Sequence, residues 1–194
     1  DNPRRPANPS SGNARTSRMT SRIGVPLAMT LSLLLGACAT APAAPANSAG
    51  AFVIERDLLG QATARGEFRS LTGARRGFTA ALNGSWDGET FVLAEDFVFD
   101  DGERDHKTWR LRRLPNGEFS GTREDVIGAA RGYRDGDVFR LEYDVMLGNG
   151  RGPKVRFRDV LANGAAGEVL NSARVSWHGL PVGAVQLTIR RGGA

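Results

Sequence analysis

The sequence predicts an all-β domain, an antiparallel up-and-down meander of about eight or nine strands that closes into a barrel. Three observations support this fold class. Short segments alternate apolar and polar residues with period two, as half-buried strands do. Asn-Gly and Asp-Gly pairs, which favour tight turns, separate these segments at regular intervals. No stretch after residue 50 has the apolar spacing of a long helix. A two-layer sandwich is the alternative that the same pattern allows.

The chain before this domain begins with a polar extension and an export signal. Residues 1–18 are rich in proline, arginine and polar side chains, which indicates either disorder or a start codon assigned too far upstream. Met19–Arg22 is a short basic segment, and the stretch from Ile23 to Leu35 is mostly apolar. That stretch fits a secretion signal of roughly 7–15 apolar residues, whereas a spanning helix needs about 20. Residues 19–37 are therefore predicted to be a signal peptide.

The sequence Leu35-Gly36-Ala37-Cys38 resembles the lipobox of bacterial lipoproteins. The resemblance implies cleavage after Ala37 and acylation of Cys38, which makes a membrane the predicted partner through a lipid anchor. Position 39 is alanine rather than aspartate, which by enterobacterial sorting favours the outer membrane over the inner one. The predicted location is thus the cell envelope, facing the periplasm. The alternative is a buried cysteine after an ordinary apolar helix.

Residues 38–50 contain, after the cysteine, only small residues and proline, so they are predicted to be a semi-extended linker to the domain at 51–194. The whole chain carries a net charge of +5 at pH 7. Five arginines and one aspartate fall within residues 1–22, which leaves 21 basic and 20 acidic side chains in residues 23–194. Such a balanced domain lacks the basic surface that phosphate binding requires, so nucleic acid is excluded as a partner.

The predicted strands follow one another from residue 59 onward, and the first is the least regular. They lie near residues 59–70, 75–86, 90–99, 106–114, 118–128, 137–147, 154–162, 168–178 and 184–190. The predicted turn pairs are Asp87-Gly88, Asp101-Gly102, Asn116-Gly117, Asp135-Gly136, Asn149-Gly150 and Asn163-Gly164. A barrel of this size removes exposed sheet edges, and its interior is either filled by side chains or able to hold one small ligand.

Several polar residues fall on the predicted inward faces, where apolar residues are expected. Glu95 shares its face with aromatic residues, and the same holds for Asp159 and Asn171 among apolar neighbours. Arg123 and Asp125 share a face with Phe119 and Ile127 in the predicted strand 118–128. Buried charges need a partner or water. The candidate ligand-binding residues are therefore Glu95, Arg123, Asp125, Asp159, Asn171, Trp109 and Phe97.

Two other interpretations of these polar residues stay open. They could form an internal salt bridge with no ligand, or a β-bulge could turn one of them outward. A register shift by one residue would also reverse every face assignment. We identify no catalytic motif, no metal-binding spacing and no cofactor motif, since the two histidines, His106 and His178, are isolated from other ligands in the sequence.

The longer motifs of the domain resemble a family of bacterial lipoproteins catalogued as the domain of unknown function 3833 family. The matching segments are Trp86-Asp-Gly, Leu93 to Glu103, Trp109-Arg-Leu, Gly117 to Gly132, Asn171, and Gly179-Leu-Pro-Val-Gly183. The resemblance covers roughly residues 52 to 190. It implies a lipocalin-like barrel behind a lipobox signal, and it carries no known activity.

Three functional hypotheses follow. In the first, a lipocalin-like barrel binds an amphipathic small molecule or lipid, and Glu95, Arg123 and Asp125 meet its polar head; this requires a cavity. In the second, a packed barrel is a non-enzymatic scaffold of the envelope, which requires an exposed apolar patch for a protein partner. In the third, the domain is an enzyme acting on a lipid or sugar, which requires a cleft with a strongly shifted carboxylate or histidine.

Overall fold

The computed structural model describes residues 41–46 and 48–192, with the side chain of Asn149 excepted. The extension at 1–18, the signal peptide at 19–37 and the acylation of Cys38 are predictions that lie outside these residues. Among the residues described, none belongs to a helix that is both long and apolar enough to cross a membrane.

The described part of the chain folds into a closed barrel of ten antiparallel strands. Each strand pairs with the next along the chain, and the first strand pairs with the last to close the barrel. A one-turn helix, α1 (Ile54–Asp57), precedes the barrel, and a second, α2 (Leu147–Gly150), joins the seventh strand to the eighth. The strands are β1 (Gly60–Ser70), β2 (Arg75–Trp86), β3 (Thr90–Phe99), β4 (Arg104–Arg113), β5 (Phe119–Thr122), β6 (Val126–Asp135), β7 (Val138–Met146), β8 (Lys154–Asn163), β9 (Val169–Trp177) and β10 (Leu180–Arg191).

The predicted meander and its closure into a barrel are confirmed, but the predicted number of strands is too low. The segment 118–128, predicted as one strand, contains β5, a turn at residues 123–125, and the start of β6. The alternation of apolar and polar residues continues through this turn, and the turn contains no glycine. The sequence pattern therefore does not reveal that the chain reverses direction here. As a consequence the prediction that Ile127 faces inward is wrong, since its side chain is 41% exposed. A bulge between Ile127 and Arg131 then restores the register of β6 against β7.

The six predicted turn pairs all lie at connections between strands. The glycine has positive φ in five of them, of which four are turns and the fifth, Gly150, is the last residue of α2. In the sixth, the connection after Asn163, the residue with positive φ is Gly167 instead of Gly164.

The α1 segment plugs one end of the barrel, and the sequence gives no periodic signal for it. Phe52, Ile54 and Leu58 are 1–3% exposed in the main core cluster. The buried carboxylate of Asp57 fixes the turn, because it accepts a hydrogen bond from the backbone N–H of Val53 at 2.8 Å. Burial tends to raise the pKa of Asp57, but hydrogen bonds from Arg56, Val53 and Asn163 outweigh it and the pKa is lowered.

The described part of the predicted linker lies against the outside of the barrel. The guanidinium of Arg140 donates a hydrogen bond to the carbonyl oxygen of Pro42 at 3.2 Å. The backbone N–H of Ala49 donates a hydrogen bond to the carbonyl oxygen of Asn163 at 2.8 Å, and Ser48 forms an isolated antiparallel β-bridge with Gly164. All ten described strands and the core residues lie within 52–191, so a segment comprising residues 39–194 contains the complete barrel.

Candidate functional site

The interior of the barrel holds a cavity of about 430 Å³. Ile54 and Leu58, from the plugged end, form part of its floor. At the opposite end the lining includes the partly exposed side chains of Arg76, Phe99 and Leu147, so the cavity opens there. We call this opening the mouth. The plug and the mouth together give the barrel one closed end and one open end.

Aromatic rings make up much of the cavity wall, in two groups. Near the mouth, the ring of Phe97 lies 5.6 Å from that of Phe78 and stacks on Phe99 at 6.1 Å. Deeper in the barrel, the ring of Tyr143 stacks on Phe157 at 5.2 Å and meets the edge of Trp109 at 4.9 Å. Such walls bury the apolar surface of a ligand while keeping a defined shape.

A polar cluster interrupts this apolar wall halfway along the barrel. Glu95 in the middle of β3 and Asp159 in the middle of β8 are 9% and 6% exposed. The hydroxyl of Tyr143 and the side-chain amide of Asn171 each donate a hydrogen bond to Asp159 Oδ2 at 3.3 Å. The strand pairing brings these residues together, because β7, β8 and β9 are neighbours and their inward side chains lie side by side.

Arg123 reaches this cluster from the turn between β5 and β6. Its guanidinium forms a two-point ion pair with Asp125, with Nε 2.7 Å from Oδ1 and Nη2 3.2 Å from Oδ2. The same guanidinium lies over the ring of Trp109, 4.7 Å from the centroid, and 5.2 Å from that of Tyr143. Burial alone would lower the pKa of Arg123, but Tyr143, Asp125 and Glu95 raise it, so the guanidinium is always charged.

Burial shifts the two central carboxyl groups toward their neutral forms. It raises the pKa of Glu95 to about 7, and Arg123 opposes this shift while Asp159 adds to it. Burial likewise raises the pKa of Asp159 to about 6, against the hydrogen bond from Asn171 and the charge of Arg123. At neutral pH the site therefore holds carboxyl groups that can change their protonation when a ligand binds.

The cavity lining includes all seven of the predicted ligand-binding residues, Glu95, Arg123, Asp125, Asp159, Asn171, Trp109 and Phe97. Their role in binding stays a prediction. Arg123 and Asp125 line the cavity as predicted, but they do so from a turn, whereas the prediction placed them in a strand. Tyr143, a further polar member of the cluster, is not among the predicted residues, and the signal for it is a hydroxyl on the inward face that it shares with Leu141 and Val145. Within residues 41–46 and 48–192, no three side chains converge as a metal site.

The sequence model of the family described as "Protein of unknown function (DUF3833)" matches residues 32–191. The chain belongs to this family. The match confirms the resemblance found in the sequence and spans the whole barrel of this DUF3833 protein. Among curated proteins, no sequence matches the chain.

One solved structure shares the lipocalin-like fold of the DUF3833 barrel. An S-type phycobiliprotein lyase from Guillardia theta superposes with a TM-score of 0.54 at 10% identity, over 73% of this chain and 92% of that one. At this identity the likeness concerns the fold alone. A second structure, a putative AttH from Nitrosomonas europaea, has 11% identity over 78% of this chain and 57% of that one, but its TM-score of 0.26 does not indicate a shared fold.

Proposed function

We propose that this DUF3833 protein binds an amphipathic small molecule or lipid inside its barrel, at the cell envelope. The observation that carries the proposal is the cavity of about 430 Å³, which is lined by aromatic and aliphatic side chains around a central polar cluster. Small-molecule sites typically have about 300–1,000 Å³, mostly apolar walls and a few fixed polar groups. A barrel packed solid, as the scaffold hypothesis assumes, would leave no such space.

The surroundings of the mouth support entry of an apolar ligand. Exposed apolar side chains surround this end of the barrel on three neighbouring connections: Leu71 follows β1, Trp177 and Leu180 flank the turn between β9 and β10, and Leu147 follows β7. These connections are adjacent because β1 pairs with β10 and β8 with β9. An apolar rim lowers the cost of moving an apolar chain from a lipid phase into the cavity.

The first test is native mass spectrometry of residues 39–194, purified without detergent after periplasmic expression, with solvent extraction of whatever co-purifies. We expect a stoichiometric amphiphile, and we expect Glu95→Ala or Asp125→Ala to reduce its occupancy. The matched control is Glu89→Ala, which removes an exposed carboxylate from the turn between β2 and β3, at the plugged end of the barrel. An empty mass in several expression conditions, with no uptake of added lipid, would contradict the proposal.

The anchor is a separate part of the proposal. A lipid on Cys38 would hold the barrel at a membrane, and the alanine at position 39 favours the outer membrane. We expect Cys38→Ser to abolish acylation and release the protein from the membrane fraction. Mass spectrometry of the mature N-terminus, combined with membrane fractionation, measures both effects. An unacylated Cys38 in the wild-type protein would refute the anchor and leave the binding proposal intact.

A further inference from the structure

The polar cluster contains more hydrogen-bond acceptors than the protein supplies with donors. Asp159 Oδ1 and Asn171 Oδ1 are buried and have no hydrogen-bond partner within the described ranges, 41–46 and 48–192. The hydrogen bonds from Tyr143 and Asn171 both go to the other oxygen of Asp159, Oδ2. A buried acceptor left unpaired costs about 1–3 kcal/mol, so these oxygens favour a partner that brings N–H or O–H groups.

The charges of the lining are also out of balance. Its three cationic side chains all have carboxylate partners: Lys107 lies 2.9 Å from Asp105, Arg123 2.7 Å from Asp125, and Arg76 2.8 Å from Asp101. Two carboxyl groups of the lining, Glu95 and Asp159, then have no cation within ion-pair distance in the part of the chain described. Lys107 lies directly opposite Glu95 on β4, but its ammonium pairs with Asp105. The positive charge of Arg123 lowers the pKa of both, but without the direct ion pair that it forms with Asp125.

We infer that the head group of the ligand is a hydrogen-bond donor, and that a cationic donor such as an ammonium group binds better than an anionic head. This inference rests on the proposed function and names the ligand class for the same cavity. An ammonium carries three donors and no acceptor, which complements Glu95, Asp159 Oδ1 and Asn171 Oδ1. A carboxylate or phosphate would instead place a further negative charge beside two carboxyl groups in a site of low polarity.

The aromatic walls favour the same head group. The rings of Tyr143 and Phe157 lie at the level of the cluster, and a desolvated ammonium gains from contact with an aromatic face. Apolar residues of the lining, among them Phe78 and Phe97 on the mouth side, would then surround the tail. A single-chain amphiphile with its head at mid-depth fits a polar cluster with apolar walls beside it.

The test compares three amphiphiles that share a ten-carbon tail: decylammonium, decanol and decyl sulfate. Their binding to residues 39–194 is measured at pH 8, where Glu95 and Asp159 are ionised, by displacement of a neutral fluorescent dye. We expect decylammonium to bind at least tenfold more tightly than decyl sulfate, with decanol between them. Residues 23–194 are nearly neutral in charge, so general attraction to the surface does not produce this order.

The matched variants locate the preference. We expect Glu95→Gln with Asp159→Asn to reduce the ratio between the ammonium and the sulfate to below threefold. Glu89→Gln, which neutralises an exposed carboxylate in the turn between β2 and β3 at the plugged end, should leave it unchanged. If the double variant does not fold by circular dichroism, Glu95→Gln alone must lower the ratio by at least half. Equal or tighter binding of decyl sulfate, or a preference that survives these changes, would overturn the inference and keep the binding function. Failure of all three amphiphiles to bind would instead remove the proposed function itself.

Discussion

Glu95 and Asp159 give the folding stability an unusual dependence on pH. The folded-state pKa of each carboxyl group is raised, to about 7 and about 6, so the folded protein holds protons that the unfolded chain releases. Their contribution is fully present below the unfolded pKa values near 4 and is lost as the pH rises through the folded values. Asp57 acts in the opposite direction, because its lowered pKa makes its contribution disappear in acid.

We therefore expect the free energy of unfolding without ligand to be highest near pH 4–5 and to fall toward pH 8. Glu95 alone should contribute a change of up to about 3 kcal/mol, from its shift in pKa. Urea unfolding at pH 5 and pH 8 measures the difference, and Glu95→Gln should make it smaller. Identical pH dependence of the wild type and the variant would show that Glu95 does not titrate as described.

Arg123 should matter more at high pH than at low pH. We expect Arg123→Ala to destabilise the fold by about 3 kcal/mol at pH 8, since it leaves Asp125 and Glu95 without their compensating charge. At pH 5 Glu95 is protonated and the loss should be smaller. Urea unfolding at both pH values provides the measurement.

The matched control is Arg112→Ala, an exposed arginine of β4, which should change stability by less than about 0.5 kcal/mol. Equal losses for the Arg123 variant at the two pH values would refute the coupling to Glu95.

The sequence predicts which residues form the site better than it predicts how the backbone brings them together. Glu95, Asp159 and Asn171 stand at alternating positions of regular strands, where period two fixes the side that each faces. The inward position of Arg123 depends on a turn, on the length of its side chain and on the rings of Trp109 and Tyr143 beneath it. No local pattern encodes those three conditions together.

At the scale of elements, α1 depends on a glycine in the strand beside it. A Cβ atom on Gly84 would overlap the backbone carbonyl of Leu58 and press on the ring of Phe91. We expect Gly84→Ala to destabilise the barrel by about 1–3 kcal/mol, because a backbone carbonyl cannot move aside as a flexible side chain can. The measurement is urea unfolding together with hydrogen exchange at residues 52–58.

The control for this substitution is Ser85→Ala, whose exposed side chain lies next to Gly84 in β2. It should be nearly neutral for stability. Normal stability and normal protection of residues 52–58 in the Gly84 variant would contradict a role for this glycine in seating the plug.

The elements also show where sequence patterns succeed. Strands such as β2 and β3 match their predicted limits, because an Asp-Gly turn marks at least one end of each and apolar residues alternate along its inward face. The helix α1 has four residues, too few for a helical period to be visible, and only the tertiary position of Phe52, Ile54 and Leu58 reveals its role. Long regular elements are therefore predictable here, whereas short ones that close the barrel are not.

At the scale of the whole molecule, the cavity can be filled without disturbing the outer surface. We expect Val185→Trp, which adds bulk to a lining residue of β10, to keep the barrel folded and to exclude co-purifying ligand. Native mass spectrometry and circular dichroism measure these two results. Ala184→Trp is the control, since its neighbouring side chain is exposed on the outer face and the substitution should leave ligand occupancy unchanged. Full ligand occupancy in the Val185 variant would place the ligand elsewhere.

The closing pair of strands sets an order on folding. The pairs between consecutive strands join residues at most 24 positions apart, whereas the pairing of β1 with β10 joins residues more than 110 positions apart. Local hairpins form quickly, and long-range contacts come at a larger cost in chain entropy. One edge of β1 therefore stays unpaired, and open to wrong partners, until β10 is in place. The cavity comes into existence only when that seam closes, so a ligand can be captured only by a finished barrel.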